Sequence, residues 1–314
     1  MLVLGDKKPL AVLFGNMQIN AKIIKDSING VTGDRLTTFI LVFPRMILAE
    51  FNTHRVISKN SASSRAIPYK KMFKMVKETP FIPLHFQEDH SGMQGSKYLT
   101  GYKLKIVRFL WITARNLALF SSYILHKLKV TKQLCNRILE PFMWHTVIAT
   151  STEWENFFAL RYHKDAEIHI QELARLMLGE YNKSIPQIKY PQEESVLPYR
   201  EIEKKEWHMP FEDQMPEGLT IGERLRVAIA RCARLSYLSF DGEMDVKKDF
   251  AIYNKLFEKN PIHASPAEHV AYPISESTFI GNFRGWIQYR KLIPFENQPD
   301  PRVIKRKVVN GKVV

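Results

Sequence analysis

The segment that most narrows the fold is Leu36–Phe43 (LTTFILVF), a run rich in Thr, Ile, Val and Phe that Pro44 closes. Its length and its β-branched and aromatic content read as a buried strand. A buried strand has to be covered, and the rest of the chain supplies helices. Residues 45–52 turn into a short helix. From about Leu104, apolar residues at 106, 109, 110, 117, 120, 124 and 128 keep a three-four rhythm on one face, and a shorter helix over 132–139 stops before Pro141. Thr152 to Glu155 (TEWE) spells a capping box for a helix through Arg161. After a polar break at 163–165, an amphipathic helix carried by Ile170, Leu173, Leu176 and Met177 runs to about Tyr181. A second capping box, Thr220 with Glu223, opens a helix through about Arg234, and Asp245 caps another through Glu258. A strand around 270–273, a helix around 282–291 and a basic tail follow.

Mixed strands and helices without repeated βαβ spacing predict an α+β fold. At roughly 150 residues per domain, 314 residues allow one large domain or two interlocked ones. Prolines at 186, 191, 198, 210 and 216 mark a linker or wrapping loop, which divides the chain into 1–185, 186–218 and 219–314. Cys135 and Cys232 lie far apart without Cys or His at metal-ligand spacing, so a disulfide scaffold and a zinc ribbon are excluded and no metal site is expected. The longest apolar stretch is interrupted by Arg115, and the first residues lack a basic segment ahead of an apolar core. Neither a membrane span nor a signal peptide is expected, which suits a soluble cytoplasmic protein.

The formal charge of +14 is partly local: from Lys70 to Lys132 there are twelve Lys or Arg and three acidic residues. A solvated basic face explains this most simply, and a phosphate-facing groove is the alternative. A nucleic-acid-binding reading has the same support, with Tyr98, Tyr102 and Trp111 as stacking residues.

Chemistry concentrates in the polar run Thr53–Arg65 (THRVISKNSASSR), read as an ordered loop with two guanidinium groups, an imidazole and four serines. Arginine offers a fork to phosphate or carboxylate, and hydroxyls can complete an anion cage. No G-x-G-x-x-G follows a strand and no G-x-x-x-x-G-K-[ST] occurs, so a dinucleotide is not held in the Rossmann manner.

This run resembles the signature of the flavin-dependent thymidylate synthases, with His54, Arg55, Ser58, Asn60, Ser63 and Arg65 in matching spacing. Thr53 replaces the family's first Arg, and Ser61 replaces its Glu. Glu153–Arg161 (EWENFFALR) is similar to a second family segment, and Arg137 in CNRILEP matches a family arginine. Arg234-Leu235-Ser236 and His263–His269 (HASPAEH) resemble blocks that the family carries near its N-terminus, so the chain is read as circularly permuted. Residues 285–296 (GWIQYRKLIPFE) resemble the helix leading into the signature, as a second, trimmed copy.

The resemblance implies methylation of dUMP to dTMP, with methylenetetrahydrofolate as carbon donor, FAD as hydride source and NADPH as reductant. It implies catalytic roles for Arg161, Ser63 and His263, and a substrate grip by Arg65, Ser63, Arg137, Arg161 and Glu50. Contacts to FAD fall to His54, Arg55, Ser58, Asn60, Asn156, Ser236, Ser265 and Glu268, with Arg290 and Glu296 from the second copy. Glu296 is then a candidate for the carboxylate absent at Ser61. Thr53 and Glu50 depart from the family pattern, which keeps dCMP and hydroxymethyl transfer open. The family builds its site at the junctions of a homotetramer, and an oligomer is expected here.

Overall fold

The computed structural model describes residues 18–91, 95–192, 202–236, 245–258, 261–294, 296, 302 and 306–313. Strand β2 (Arg35–Pro44) pairs antiparallel on one side with β1 (Asn20–Asn29) and on the other with β4 (Trp144–Ser151). Outside these lie β3 (Ser58–Ser61), antiparallel to β4, and β5 (Gln187–Lys189), parallel to β1, giving the order β3-β4-β2-β1-β5. The architecture is mixed α+β, and the strand read from Leu36–Phe43 is its centre.

Alternation along β2 and β4 sends successive side chains to opposite faces. Phe39, Leu41 and Phe43, with Val147 and Ala149, meet Trp154, Phe157 of α5 (Glu155–Arg161) and Ile170, Leu173 and Met177 of α6 (Ile168–Lys183). On the other face Ile40 and Ile148 meet Phe211 and, from α7 (Ile221–Ser236), Cys232 and Leu235. Helix α7 packs in turn against α8 (Val246–Phe257) and the segment around Val270. Behind the sheet edge, α2 (Tyr69–Glu78), α3 (Gly101–Lys127) and α4 (Lys132–Arg137) gather round Met72, Val76, Leu119 and Phe142.

Several elements differ from the sequence reading. The run Thr53–Arg65 is not all loop, because Ser58–Ser61 pairs with β4 as the edge strand β3. Thr152 does not cap α5: its hydroxyl donates to Glu153, and Ser151 Oγ accepts from the Glu153 amide. The Thr220–Glu223 box does form, with reciprocal bonds of 3.0 and 3.2 Å, and Asp245 accepts from the amides of Lys247 and Lys248. The helix expected at 282–291 is instead β8 (Phe283–Arg284), β9 (Trp286–Gln288) and a 3-10 turn, preceded by β6 (Ala271–Pro273) and β7 (Phe279–Ile280). Gly281 and Gly285 adopt φ of 70° and 71°, which breaks a helix there. The proline-rich segment is no free tether, since Trp207, His208, Met209 and Phe211 are buried in it; residues 193–201 lie outside the described residues.

Helix α3 also turns its rhythm outward. Residues 106, 109, 110, 117, 120, 124 and 128 are exposed, while Leu119 and Ser122 are buried on the opposite side. Among the described residues, no helix is long and apolar enough to cross a membrane.

The C-terminal strands are clamped onto the β1–β2 turn. Asn29 Nδ2 donates to the carbonyls of Ile274 and Gly285, and Trp286 Nε1 donates to the Asp34 carbonyl. A Cβ on Gly285 would lie 2.3 Å from Asp34 Oδ2, in a backbone conformation that side chains resist. Gly285→Ala is therefore expected to lower the unfolding free energy by roughly 1–3 kcal/mol, read as a lower denaturant midpoint; an unchanged midpoint would contradict the clamp.

Candidate functional site

The pleat of β3 distributes the signature over two directions. Ser58 and Asn60 point towards the C-terminal segment. Ser58 Oγ accepts from Asn282 at 3.1 Å and Gln288 at 3.0 Å, and Asn60 meets Ser265 Oγ at 3.3 Å and His269 Nε2 at 3.2 Å. Lys59 points the other way and donates to the carbonyls of His54 at 2.6 Å and Phe51 at 3.4 Å, at the end of α1 (Leu48–Asn52). Burial pushes its ammonium down to about 8.

Together these segments enclose an open cavity of about 550 Å³, lined by Lys59, Asn60, Ser61, Ser63, Arg65, Gln133, His263 and Ser265, with no acidic residue. Signature residues at 60–65 and the distant 263–265 turn thus face one space. Lys59 and Arg65 supply positive charge and Ser61 and Ser63 supply hydroxyls, a donor set suited to a phosphate-bearing ligand.

Arg161, at the end of α5, joins the signature from a third direction. Its Nε donates to His54 Nε2 at 2.9 Å, and its Nη2 donates to Thr53 Oγ1 at 3.0 Å and the Glu50 carbonyl at 3.4 Å. Burial, with the charges of Arg161 and Lys59, pushes His54 down to about 4. At neutral pH the ring is therefore uncharged, and Nε2 accepts from Arg161. Thr53, which departs from the family pattern, here holds Arg161. Glu50 Oε2 is buried with no hydrogen-bond partner among the described residues.

Other expected site residues go elsewhere. Arg137 is exposed and lines a separate cavity of about 570 Å³ with Arg45 and Glu140, so it does not reach the Ser63–Arg65 pocket. Arg55 and Asn156 are exposed. Glu268 accepts from Arg290, whose Nε donates to Glu296 at 2.8 Å, and Lys291 donates to the second Glu296 oxygen at 3.3 Å. Glu296 is thus committed to ion pairs in its own turn, whereas Ser61 lines the cavity. Ser236 ends α7, and its side chain lies outside the described residues. Both cysteines are buried, and burial pushes the Cys232 thiol upward. Among the described residues, no group of three His, Cys, Asp or Glu is placed to hold a metal ion.

Sequence reasoning missed Lys59 and Gln133, and it gave His269 no role. Reading SKNS as an edge strand would have put Lys59 and Ser61 on one side. Nothing local in the sequence marks Gln133.

No protein-family model and no curated protein matches the chain. Among solved structures, similar chains include the UMP/dUMP methylase PolB from Streptomyces cacaoi bound with 5-Br UMP, at 14% identity and a TM-score of 0.44, covering 54% of this chain and 90% of that one. The same enzyme bound with 5-Br dUMP gives 12% identity and a TM-score of 0.42, covering 54% and 91%. The flavin-dependent thymidylate synthase ThyX from Helicobacter pylori, complexed with FAD and dUMP, gives 19% identity and a TM-score of 0.31, covering 46% and 67%.

Because Lys59 titrates at about 8, anion binding in the cavity should weaken as pH rises through that value and the ammonium loses its proton. Titration calorimetry with sulfate, whose charge is constant over this range, at pH 7 and 9 is expected to show weaker binding at pH 9, and Lys59→Met should abolish most of that difference.

Proposed function

We propose that the protein methylates a pyrimidine deoxynucleotide at C5, with dUMP as favoured substrate, methylenetetrahydrofolate as carbon donor and FAD, recharged by NADPH, as hydride source. One observation carries this reading: Arg161 meets the start of the signature run at His54, and the 263–269 turn meets the same run at Asn60, across as many as 209 residues of chain. Their convergence is what a permuted member of the flavin-dependent thymidylate synthases requires. The segments 1–185, 186–218 and 219–314 then form one catalytic unit.

Methylation at C5 requires negative charge to be carried on the pyrimidine oxygens. A guanidinium held rigidly at the developing charge stabilises it electrostatically. Arg161 is anchored on three acceptors, none of them a carboxylate, so its charge stays available. Arg65, Ser63 and Lys59 hold the substrate phosphate, and His263 stands at the mouth of the same cavity. A volume of about 550 Å³ takes a mononucleotide. Exposed Arg55 and Asn156 offer donors for the flavin nucleotide on the surface of one chain, so FAD is enclosed only where copies meet. A flavin bound there, once reduced by NADPH, would supply the hydride that completes the methyl group.

The outward apolar stripe of α3 supports assembly into a homotetramer. From residue 106 to 128 it runs for about 33 Å, longer than isolated surface hydrophobics require. No acidic residue occurs from Lys97 to Arg137, so copies meeting there repel, and added salt should strengthen association. Phe109→Glu with Phe120→Glu is expected to lower the mass seen by light scattering to that of a monomer; an unaltered mass would remove α3 from the interface.

The chemical test is the visible spectrum of the purified protein, followed by turnover with dUMP and dCMP. A flavin band near ~450 nm, FAD on release, and dTMP formation dependent on methylenetetrahydrofolate are expected. A dCMP rate above the dUMP rate, or a hydroxymethyl product, would change the substrate or the group transferred. A colourless protein that takes up no FAD, and whose DNA affinity falls steeply with salt, would overturn the flavoenzyme in favour of nucleic-acid binding.

A further inference from the structure

A buried polar chain runs along the α7 side of the sheet into the cavity. Ser27 Oγ stands 2.9 Å from His208 Nδ1, and His208 Nε2 stands 2.8 Å from Thr38 Oγ1. Thr38 Oγ1 meets Thr150 Oγ1 at 2.8 Å, and Thr150 Oγ1 meets His269 Nδ1 at 2.8 Å. His269 Nε2 reaches the Asn60 amide at 3.2 Å, and that amide touches Ser265 Oγ at 3.3 Å. From Ser27 to His269 every member is 0% exposed, and Ser265 opens on the cavity.

The sense of these bonds is set at Asn60. One amide atom lies 3.2 Å from the backbone carbonyls of Ser265 and Lys59 as well as from His269 Nε2. Carbonyl oxygens only accept, so the network assigns that atom as the nitrogen. The amide oxygen then faces Ser265 Oγ, which has to donate to it. His269 Nε2 accepts, so its proton sits on Nδ1 and goes to Thr150; burial, which lowers the ring to about 3, keeps it neutral. Thr150 donates to Thr38, Thr38 to His208 Nε2, and His208 Nδ1 to Ser27. The Asn60 amide has two protons for its three acceptors, and from His269 to Ser27 each group passes on one proton, so that stretch runs in a single direction.

We propose that this chain makes Ser265 an acceptor, and only an acceptor, towards the ligand in the cavity. Its one proton is committed to Asn60, so its remaining lone pairs face the ligand. A phosphate, which only accepts, is turned away from Ser265 and towards Lys59, Ser63 and Arg65. An N–H or O–H of the nucleoside part takes the place at Ser265, either the base N3–H or the sugar 3′-hydroxyl. This departs from the flavin contact that the resemblance implies for Ser265, and it rests on reading the cavity as a pyrimidine-nucleotide site. Asn60 and His269 are positioning residues that act through Ser265.

Two measurements on the full chain test it. Nitrogen-15 spectra of histidine-labelled protein at pH 7 should show His269 as the Nδ1–H tautomer, its signal assigned by the shift in Thr150→Val; an Nε2–H tautomer overturns the proposal. Affinities of wild type and Ser265→Ala for dUMP, dCMP and 2′,3′-dideoxy-UMP form the second arm. Ser265→Ala should weaken dUMP about tenfold, the worth of one hydrogen bond. Insensitivity of dCMP to the substitution identifies N3–H as the donor, and insensitivity of the dideoxynucleotide identifies the 3′-hydroxyl. Equal weakening of all three, or weaker binding of inorganic phosphate to Ser265→Ala, overturns the proposal. Failure of wild type to bind dUMP defeats the nucleotide reading instead, and the tautomer still decides the polarity of Ser265.

Discussion

Strand β2 pairs along both edges and is buried on both faces, and the position of every candidate site residue follows from that. Its pairing with β4 aligns Thr38 with Thr150 and fixes where β3 can add at the outer edge. One face is sealed by aromatic packing, with Phe39 edge-on to Trp154 at 5.1 Å, so α5 is held at a set height and Arg161 at its end reaches His54. The other face is sealed by α7 and Phe211, with His208 and His269 bonded to Thr38 and Thr150 of the same strands. Thr37 and Thr38 are tolerated in β2 because each hydroxyl has a partner, Asp26 for Thr37 and Thr150 with His208 for Thr38.

Electrostatics then separates the candidate site from the rest of a basic protein. Elsewhere several buried cations are paired with carboxylates: Arg231 and Arg234 share Asp249, and Lys25 pairs with Glu212. At the site, Lys59 and Arg161 are met by carbonyls, an imidazole and a hydroxyl. Neutral acceptors hold a cation in place without cancelling its charge, so the field that stabilises an anionic ligand remains. Lys59 loses part of its hold on a proton through burial, and His54 stays uncharged between two cations. Acceptors of this kind preserve geometry and leave the charge of both cations uncancelled.

The C-terminal segment takes a form that its resemblance to a helix did not suggest. Tyr289–Leu292 forms a 3-10 turn in place of a long helix, and Arg290 there binds Glu268 and Glu296. Gln288 and Asn282 donate to Ser58, so part of the first signature is spent on anchoring this segment. The glycine-broken strands press on the β1–β2 turn and hold the 263–269 turn over β3.

Much of this was legible in the sequence where local chemistry decides. The central strand followed from LTTFILVF, and the caps at Thr220 and Asp245 followed from residue types whose side chains reach the first free amides. The resemblance singled out His54, Asn60, Ser63, Arg65, Arg161, His263 and Ser265, and the fold brings Asn60, Ser63, Arg65, His263 and Ser265 to one cavity and Arg161 to His54. Edge strand β3 was hidden because SKNS carries no β-branched signal and is ordered by pairing with β4. The α3 stripe has the same rhythm whether it faces a core or solvent, and only packing through Leu119 and Ser122 decides which. Arg137 matched a motif yet faces another cavity, since the direction of a helix end is set by what the helix packs on. The sequence by itself determined which groups are available, because capping, strand formation and charge are properties of neighbouring residues. The tertiary structure alone decided which of them meet and which proton each shares, because residues more than a hundred positions apart become neighbours only when both faces of β2 are covered.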